Sequence, residues 1–320
     1  MTRLARWWFA PAPPERLAAL RIAIGAFAVA WSAASLGEVV ALTRLPAAQL
    51  VPVGVVRVLG APLPGVVVAA IAVTTIALLL AVTAGAWFRV AAPLAALGLL
   101  WTTSYRSSWG MVFHTENLLV LHVIALAFLP AADAWCLGRT ARAPKPAQDR
   151  VLDSARAGAQ PAGYGWAIKL LAAITCATYV LAGIAKLRLA GLHWLAGDQL
   201  RNQIAIDNLR KALLGSATAP LARSMIMHPG ALVALSLATL AIELGAPFAM
   251  LGRRIARVWL CGAWGFHLGV VLAMNVWFLY PLAGVAFLPL IDAESVVARM
   301  VAPVRRWRQR LVHGRADPGR

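Results

Sequence analysis

The sequence is poor in acid, in cysteine and in charge of any sign. Only 12 of its 320 residues are Asp or Glu, against 30 Lys and Arg, and charged residues together make up 13% of the chain. That is about half the share of an ordinary soluble domain. A water-soluble fold of this length has too little interior to hide a sequence that is 61% hydrophobic, with a mean hydropathy of +0.74. A bilayer supplies the missing apolar solvent. The three cysteines, Cys136, Cys176 and Cys261, show no paired spacing and no CxxC. Cys176 and Cys261 fall inside apolar runs and read as buried thiols. Soluble-enzyme signatures are missing too: there is no GxSxG, HExxH, Walker loop or GxGxxG.

The net charge of +18 invites a nucleic-acid partner, but the basic residues form no single face or domain. They stand at the ends of apolar runs, where membrane topology requires them. Eight such runs are expected to span: Leu17 to Ser35, Pro64 to Gly85, Val90 to Tyr105, Asn117 to Pro130, Gly165 to Leu187, Ala231 to Leu251, Val258 to Trp277 and Phe278 to Ile291. The fourth and eighth are short, and the division between the seventh and eighth is the least defined. The first run is too long for a signal-peptide core, and no soluble mature domain follows it. With the N-terminus inside, inner segments hold 19 Lys and Arg and outer segments 9, counting Lys186 at the outer end of the fifth span. This split predicts both termini in the cytoplasm and an even number of spans.

The expected architecture is therefore all-α, a polytopic bundle of about eight spans in a bacterial inner or plasma membrane. Residues 1–295 form the transmembrane domain, as two four-span halves joined by a flexible, Pro- and Ala-rich linker over 131–161. Residues 296–320 form a basic cytoplasmic tail. Between the fifth and sixth spans, Leu200, Ile204, Leu209 and Leu213 recur at near-helical spacing, interleaved with Asp198, Arg201, Asp207, Arg210 and Lys211. That pattern predicts an amphipathic helix on the outer leaflet, with an i,i+4 pair between Asp207 and Lys211. No internal repeat suggests the inverted halves of a transporter. Small-residue faces permit a dimer without requiring one.

Polar residues at membrane depth are costly, so they carry the functional signal. Lys186 ends the fifth span, and Tyr179 lies two turns earlier on the same face. A partly desolvated lysine can serve as a general base; the plainer role is snorkelling to the headgroups. Arg21 and Lys169, near the inner ends of their spans, read as snorkelling residues. Glu243 sits inside the sixth span, one turn before Pro247, and must be protonated or paired. His267 stands near the middle of the seventh, so a Glu243–His267 pair is the natural guess; a structural interhelical hydrogen bond is the alternative. Gly262, Gly265 and Gly269 on that helix read as packing residues. The turn between the third and fourth spans gathers Trp101, Tyr105, Arg106 and Trp109 with His114, Thr115, Glu116 and Asn117, and His122 lies further in. These form either an interfacial belt or the lining of an outward pocket. His114 and Glu116, two apart, do not share a helix face, so no metal site is expected.

The stretch Tyr179-Val-Leu-Ala-Gly-Ile-Ala-Lys186-Leu187, followed by Trp194 and Gly197-Asp198, resembles vitamin K-dependent gamma-carboxylases. More broadly it is similar to the horizontally transferred transmembrane domain family that contains them. Pro14-Glu15-Arg16-Leu17-Ala18-Ala19-Leu20-Arg21-Ile22 with Gly25 looks like that family's opening, and Glu243-Leu244 followed by Phe266-His267 resembles its later acid-then-histidine pattern. The resemblance runs from about Phe9 to Ile291. It implies that Lys186 is the base that deprotonates a reduced, vitamin K-like quinone, with Tyr179 and His267 lining the same cavity. In those enzymes oxygen then converts the quinol into a strong base, which takes a glutamate γ-proton before carbon dioxide adds. Two features differ: the carboxylases carry a large extramembrane domain after their spans, and an Asn-His element where this chain reads His114-Thr115-Glu116-Asn117. The expected function is thus a membrane enzyme acting on a lipid quinol or lipid-accessible substrate, with Lys186, His267 and Glu243 catalytic and Tyr179, Trp194, Glu116, Asn117 and Tyr105 around the quinol. A maturation or export helper for a secreted peptide is the alternative, and a small-molecule transporter the third.

Overall fold

A computed structural model describes residues 2–137 and 163–297. Among them every regular element is helical. After a short helix α1 (Arg3–Trp8), Pro14 opens α2 (Pro14–Ala41) at the position where a missing N–H costs nothing. Then follow α3 (Gly65–Ala84), α4 (Phe88–Arg106), α5 (Asn117–Ala127), α6 (Gly165–Ala190), α7 (Asp198–Leu213), α8 (Ala222–Ile226), α9 (Pro229–Leu244), α10 (Arg253–Met274) and α11 (Leu279–Leu282).

Four helices are long and apolar enough to cross a membrane: Pro14–Arg44, Gly65–Ala84, Gly165–Trp194 and Arg253–Met274. Asn117–Ala127 and Pro229–Leu244 are apolar but shorter. The later apolar runs are not the plain spans expected of them. The sixth leaves the α-helix at Leu244, because Pro247 lacks the N–H that would continue the ladder, and goes on as 3-10 turns over Ala246–Met250. The eighth is α11 followed by 3-10 turns over Val285–Leu290, split at Gly284 with φ 76°. The seventh ends at Met274, capped by Asn275 in the left-handed region at φ 47°.

Consecutive helices α2 to α5 pack side by side, and α6 packs on α5, on α9 and on both late 3-10 segments. Leu17, Leu20, Ile24, Leu99, Leu119, Leu126 and Leu171 are fully buried where these faces meet. A smaller cluster, Ile204, Ala219, Ala222, Leu232 and Ala273, ties α7 and α8 to the ends of α9 and α10. The expected amphipathic helix is α7. Ile204 is buried in it while Leu209 and Leu213 are exposed, and Lys211 reaches Asp207 at 2.6 Å.

Arg21 does not snorkel. It is fully buried, and its guanidinium donates to the carbonyls of Ala131 (2.8 Å), Ala134 (3.2 Å) and Trp135 (2.5 Å). It thereby pins the chain leaving α5, and Ala131 and Ala134 are buried there. The rest of the expected linker, 138–161, and the tail from 298 lie outside the described residues. Cys176 is buried as expected, donating to the Ala246 carbonyl at 3.2 Å, whereas Cys261 is exposed on the outer flank of α10. At one end of the bundle Arg16 holds Glu294 with two hydrogen bonds of 2.8 and 2.7 Å, and it also contacts Asp292 at 2.5 Å.

Candidate functional site

Gly183 sets the site. A Cβ at this position on α6 would lie 2.8 Å from Leu244 Cδ2 and 3.1 Å from Glu243 Cβ. Its absence lets the end of α9 lie close against α6, so that Glu243 reaches the next turn. There Lys186 Nζ donates to Glu243 Oε1 at 2.5 Å. The Glu243 side chain is 2% exposed and that of Lys186 23%. Lys186 Nζ also stands 5.4 Å from the centre of the Trp194 ring, a cation–π contact from the buried indole of the turn after α6.

One turn below Gly183, Tyr179 Oη and His267 Nε2 are 2.7 Å apart. The expected Glu243–His267 pair therefore does not form: the acid is taken by Lys186 and the histidine by Tyr179. Aromatic rings fix the imidazole, with Phe278 5.0 Å and Phe266 5.1 Å away between ring centres. Trp194 Nε1 is left buried without a hydrogen-bond partner, and so is one atom of each pair, Glu243 Oε2 and His267 Nδ1.

Glu243 and His267 line a cavity of about 310 Å³, together with Tyr179, Lys186, Asn117, His114 and Thr115. Thr178 also lines it, and the rest of the wall is apolar, from Leu118, Ala182, Phe266, Phe278 and Pro281. A wider cleft of about 1010 Å³ also carries His114 and Thr115 in its wall, and an apolar groove of about 280 Å³ along Gly262, Gly265 and Gly269 shares Phe266. So of the sequence-predicted residues, the structure brings Lys186, Glu243, Tyr179, His267 and Asn117 to one cavity, with Trp194 against Lys186. Glu116 turns to Arg106 at 3.4 Å and accepts the Thr115 hydroxyl at 2.6 Å, lining the wider cleft instead. Tyr105 is not in the cavity. It is buried in a separate cluster with Val39, Val56 and Val68, stacked on Trp101 at 5.1 Å.

His122 carries more structure than the sequence assigned it. It is fully buried, with Nδ1 2.7 Å from Tyr280 Oη and Nε2 near the Leu171 carbonyl (3.1 Å) and Thr175 Oγ1 (3.2 Å). Both ring nitrogens are occupied, so it ties α5, α6 and α11 together. No group of three or more His, Cys, Asp or Glu among the described residues is arranged to hold a metal.

Comparison with family models, with curated proteins and with solved structures gave no match. Fold and hydropathy define the class: an all-helical protein whose apolar helices are compatible with an integral membrane protein.

Proposed function

We propose that the chain is a membrane enzyme of the carboxylase-like kind, in which Lys186 is the base toward a lipid-borne quinol or related lipid substrate. The observation that carries this reading is the Lys186–Glu243 pair on the wall of a cavity that also holds the Tyr179–His267 hydrogen bond. A lysine accepts a proton only as a free amine. Proton exchange from Nζ to Glu243 turns ammonium and carboxylate into amine and carboxylic acid without moving net charge out of an apolar site. Nζ then takes the proton of a hydroxyl placed against it and becomes an ammonium beside the resulting oxyanion, while Glu243 keeps the proton it received from Nζ.

The residues present fit a ring-sized polar head. The cavity lies at the lower end of small-molecule pockets, which run from about 300 to 1,000 Å³. Each buried polar atom left unpaired costs about 1–3 kcal/mol, so Glu243 Oε2 and His267 Nδ1 favour a ligand that offers hydroxyl or carbonyl groups. Phe266 and Phe278 would cover the ring, and the groove along Gly262, Gly265 and Gly269 suits an apolar tail. A reduced quinone would supply the hydroxyl to be deprotonated and the reducing electrons. For topology we propose eight crossings with both termini in the cytoplasm, supported by the 19-to-9 split of basic residues. The Lys186 end of α6 then faces outward.

The test is quinol consumption by purified protein in nanodiscs, compared with Lys186→Ala. Loss of a general base lowers the rate by about 10²–10⁴-fold; equal rates for the two proteins sink the reading. Mass spectrometry of co-purifying lipids gives a second measure, with a quinone near stoichiometry as the expected result.

A further inference from the structure

Another cavity, of about 510 Å³, opens at the opposite end of α6 from Lys186. It is walled by the starts of three helices: Arg16 in the first turn of α2, Gly165 and Lys169 in the first turns of α6, and Arg253 and Arg257 in the first turns of α10. Four cations thus face one opening. The described carboxylates there are committed to two of them: Glu294 and Asp292 to Arg16, and Asp292 also to Arg253 at 3.1 Å. The other two spend their hydrogen bonds on neutral groups. Lys169 Nζ points at the Trp8 carbonyl at 3.5 Å, over the Trp7 ring at 5.4 Å, and Arg257 Nε donates to the Arg253 carbonyl at 3.3 Å.

The geometry points to a phosphate-binding site: we propose that this cavity takes the phosphate of an anionic lipid headgroup, held by Lys169 and Arg257. Surplus positive charge among the described residues of a concave site between helices favours a multiply oxygenated anion, and a phosphodiester accepts from both an ammonium and a guanidinium. The positive ends of three helix dipoles add to the same field. Met250, Ile168 and Leu290 in the cavity wall offer apolar surface for the glycerol and the first acyl carbons. The site is independent of the Lys186 reading and stands if that reading fails.

Native mass spectrometry of the full chain, delipidated in detergent and titrated with phosphatidylglycerol, phosphatidylcholine or inorganic phosphate, tests it. The expected result is retention of phosphatidylglycerol over phosphatidylcholine, weakened at least about tenfold in Lys169→Gln/Arg257→Gln. Arg254→Gln, an exposed cation on α10 that does not line the cavity, controls for general charge and leaves retention unchanged. An unshifted melting curve of the double variant shows that the fold survives. Displacement of the lipid by millimolar inorganic phosphate assigns the site to free phosphate, and failure to displace assigns it to the lipid diester; both uphold a phosphate site. Equal retention of the two lipids, equal retention by wild type and double variant, or a loss in Arg254→Gln as large as in the double variant overturns it.

Discussion

Arg21 and Lys186 both sit on long apolar helices, and the fold treats them in opposite ways. Arg21 is enclosed. Three backbone carbonyls take its terminal donors, and only Nε is left without a partner. Lys186 is given one acid and one aromatic face, and it stands on the wall of an opening. Its partner keeps an oxygen with nothing to bond. A cation held by backbone carbonyls has no acid among those partners with which to exchange a proton. A cation paired with a half-satisfied acid beside a cavity has both a proton to exchange and a place to exchange it.

The comparison breaks most sharply at Arg21. Arg21→Met leaves three carbonyls without their donor in the interior, where hydrogen bonds to a charged group are worth about 1.5–3 kcal/mol each. The expected outcome is loss of monodisperse protein on size exclusion and a melting temperature too low to measure. Lys186→Ala is milder for the fold, because the lysine is partly exposed, yet it strands Glu243; removing one partner of a buried pair costs up to about 3–5 kcal/mol. Adding Glu243→Gln to Lys186→Ala should recover most of the lost stability in thermal melts, with no recovery of quinol turnover. Recovery of both would make the pair a structural one, like Arg21. Next in size, Tyr179→Phe removes one hydrogen bond to His267, about 1 kcal/mol, and should raise KM more than it lowers stability.

The smallest effect is a pH dependence at the far end. Burial opposes the charge on Glu294. The hydrogen bond from Arg16, its own backbone and the charges of Arg16 and Arg253 still hold its carboxyl below the ordinary carboxylate range. A group depressed in the folded state binds fewer protons there than when unfolded, so its stabilisation is full above the unfolded value of about 4.3 and fades as pH falls through the lower folded one. Melting curves taken from pH 6 to 3 should slope downward in wild type and flatten in Glu294→Gln.

How legible this was in the sequence depends on distance along the chain. Apolar runs and the cost of burying Glu243 are local properties, and they marked the helices and the site residues. Tyr179 and Lys186 were placed on one face by spacing within a single helix, and both line the cavity. The pairing of Glu243 with Lys186 was not legible, because it is decided by Gly183 allowing α9 to close on α6, a contact 57 residues apart in the chain. Arg21 was misread for the same reason: its carbonyl partners lie more than 100 residues away. Tyr105 and Glu116 looked like pocket residues because they share a loop region with Asn117, yet each is turned to its own neighbours. The later runs misled through hydropathy alone, which cannot distinguish an α-helix from 3-10 turns around Pro247 and Pro289.

The hold of Arg16 on Asp292 and Glu294 also has a meaning in time. A ribosome makes α2 long before it makes the two acids that fasten it, since 278 residues separate Arg16 from Glu294. His122 likewise waits for Tyr280, 158 residues later. Until the last apolar segment has joined, Arg16 lacks Asp292 and Glu294, and His122 lacks the Tyr280 hydroxyl. Assembly is thus completed by its latest piece, and a chain interrupted before residue 280 would lack both fastenings at once.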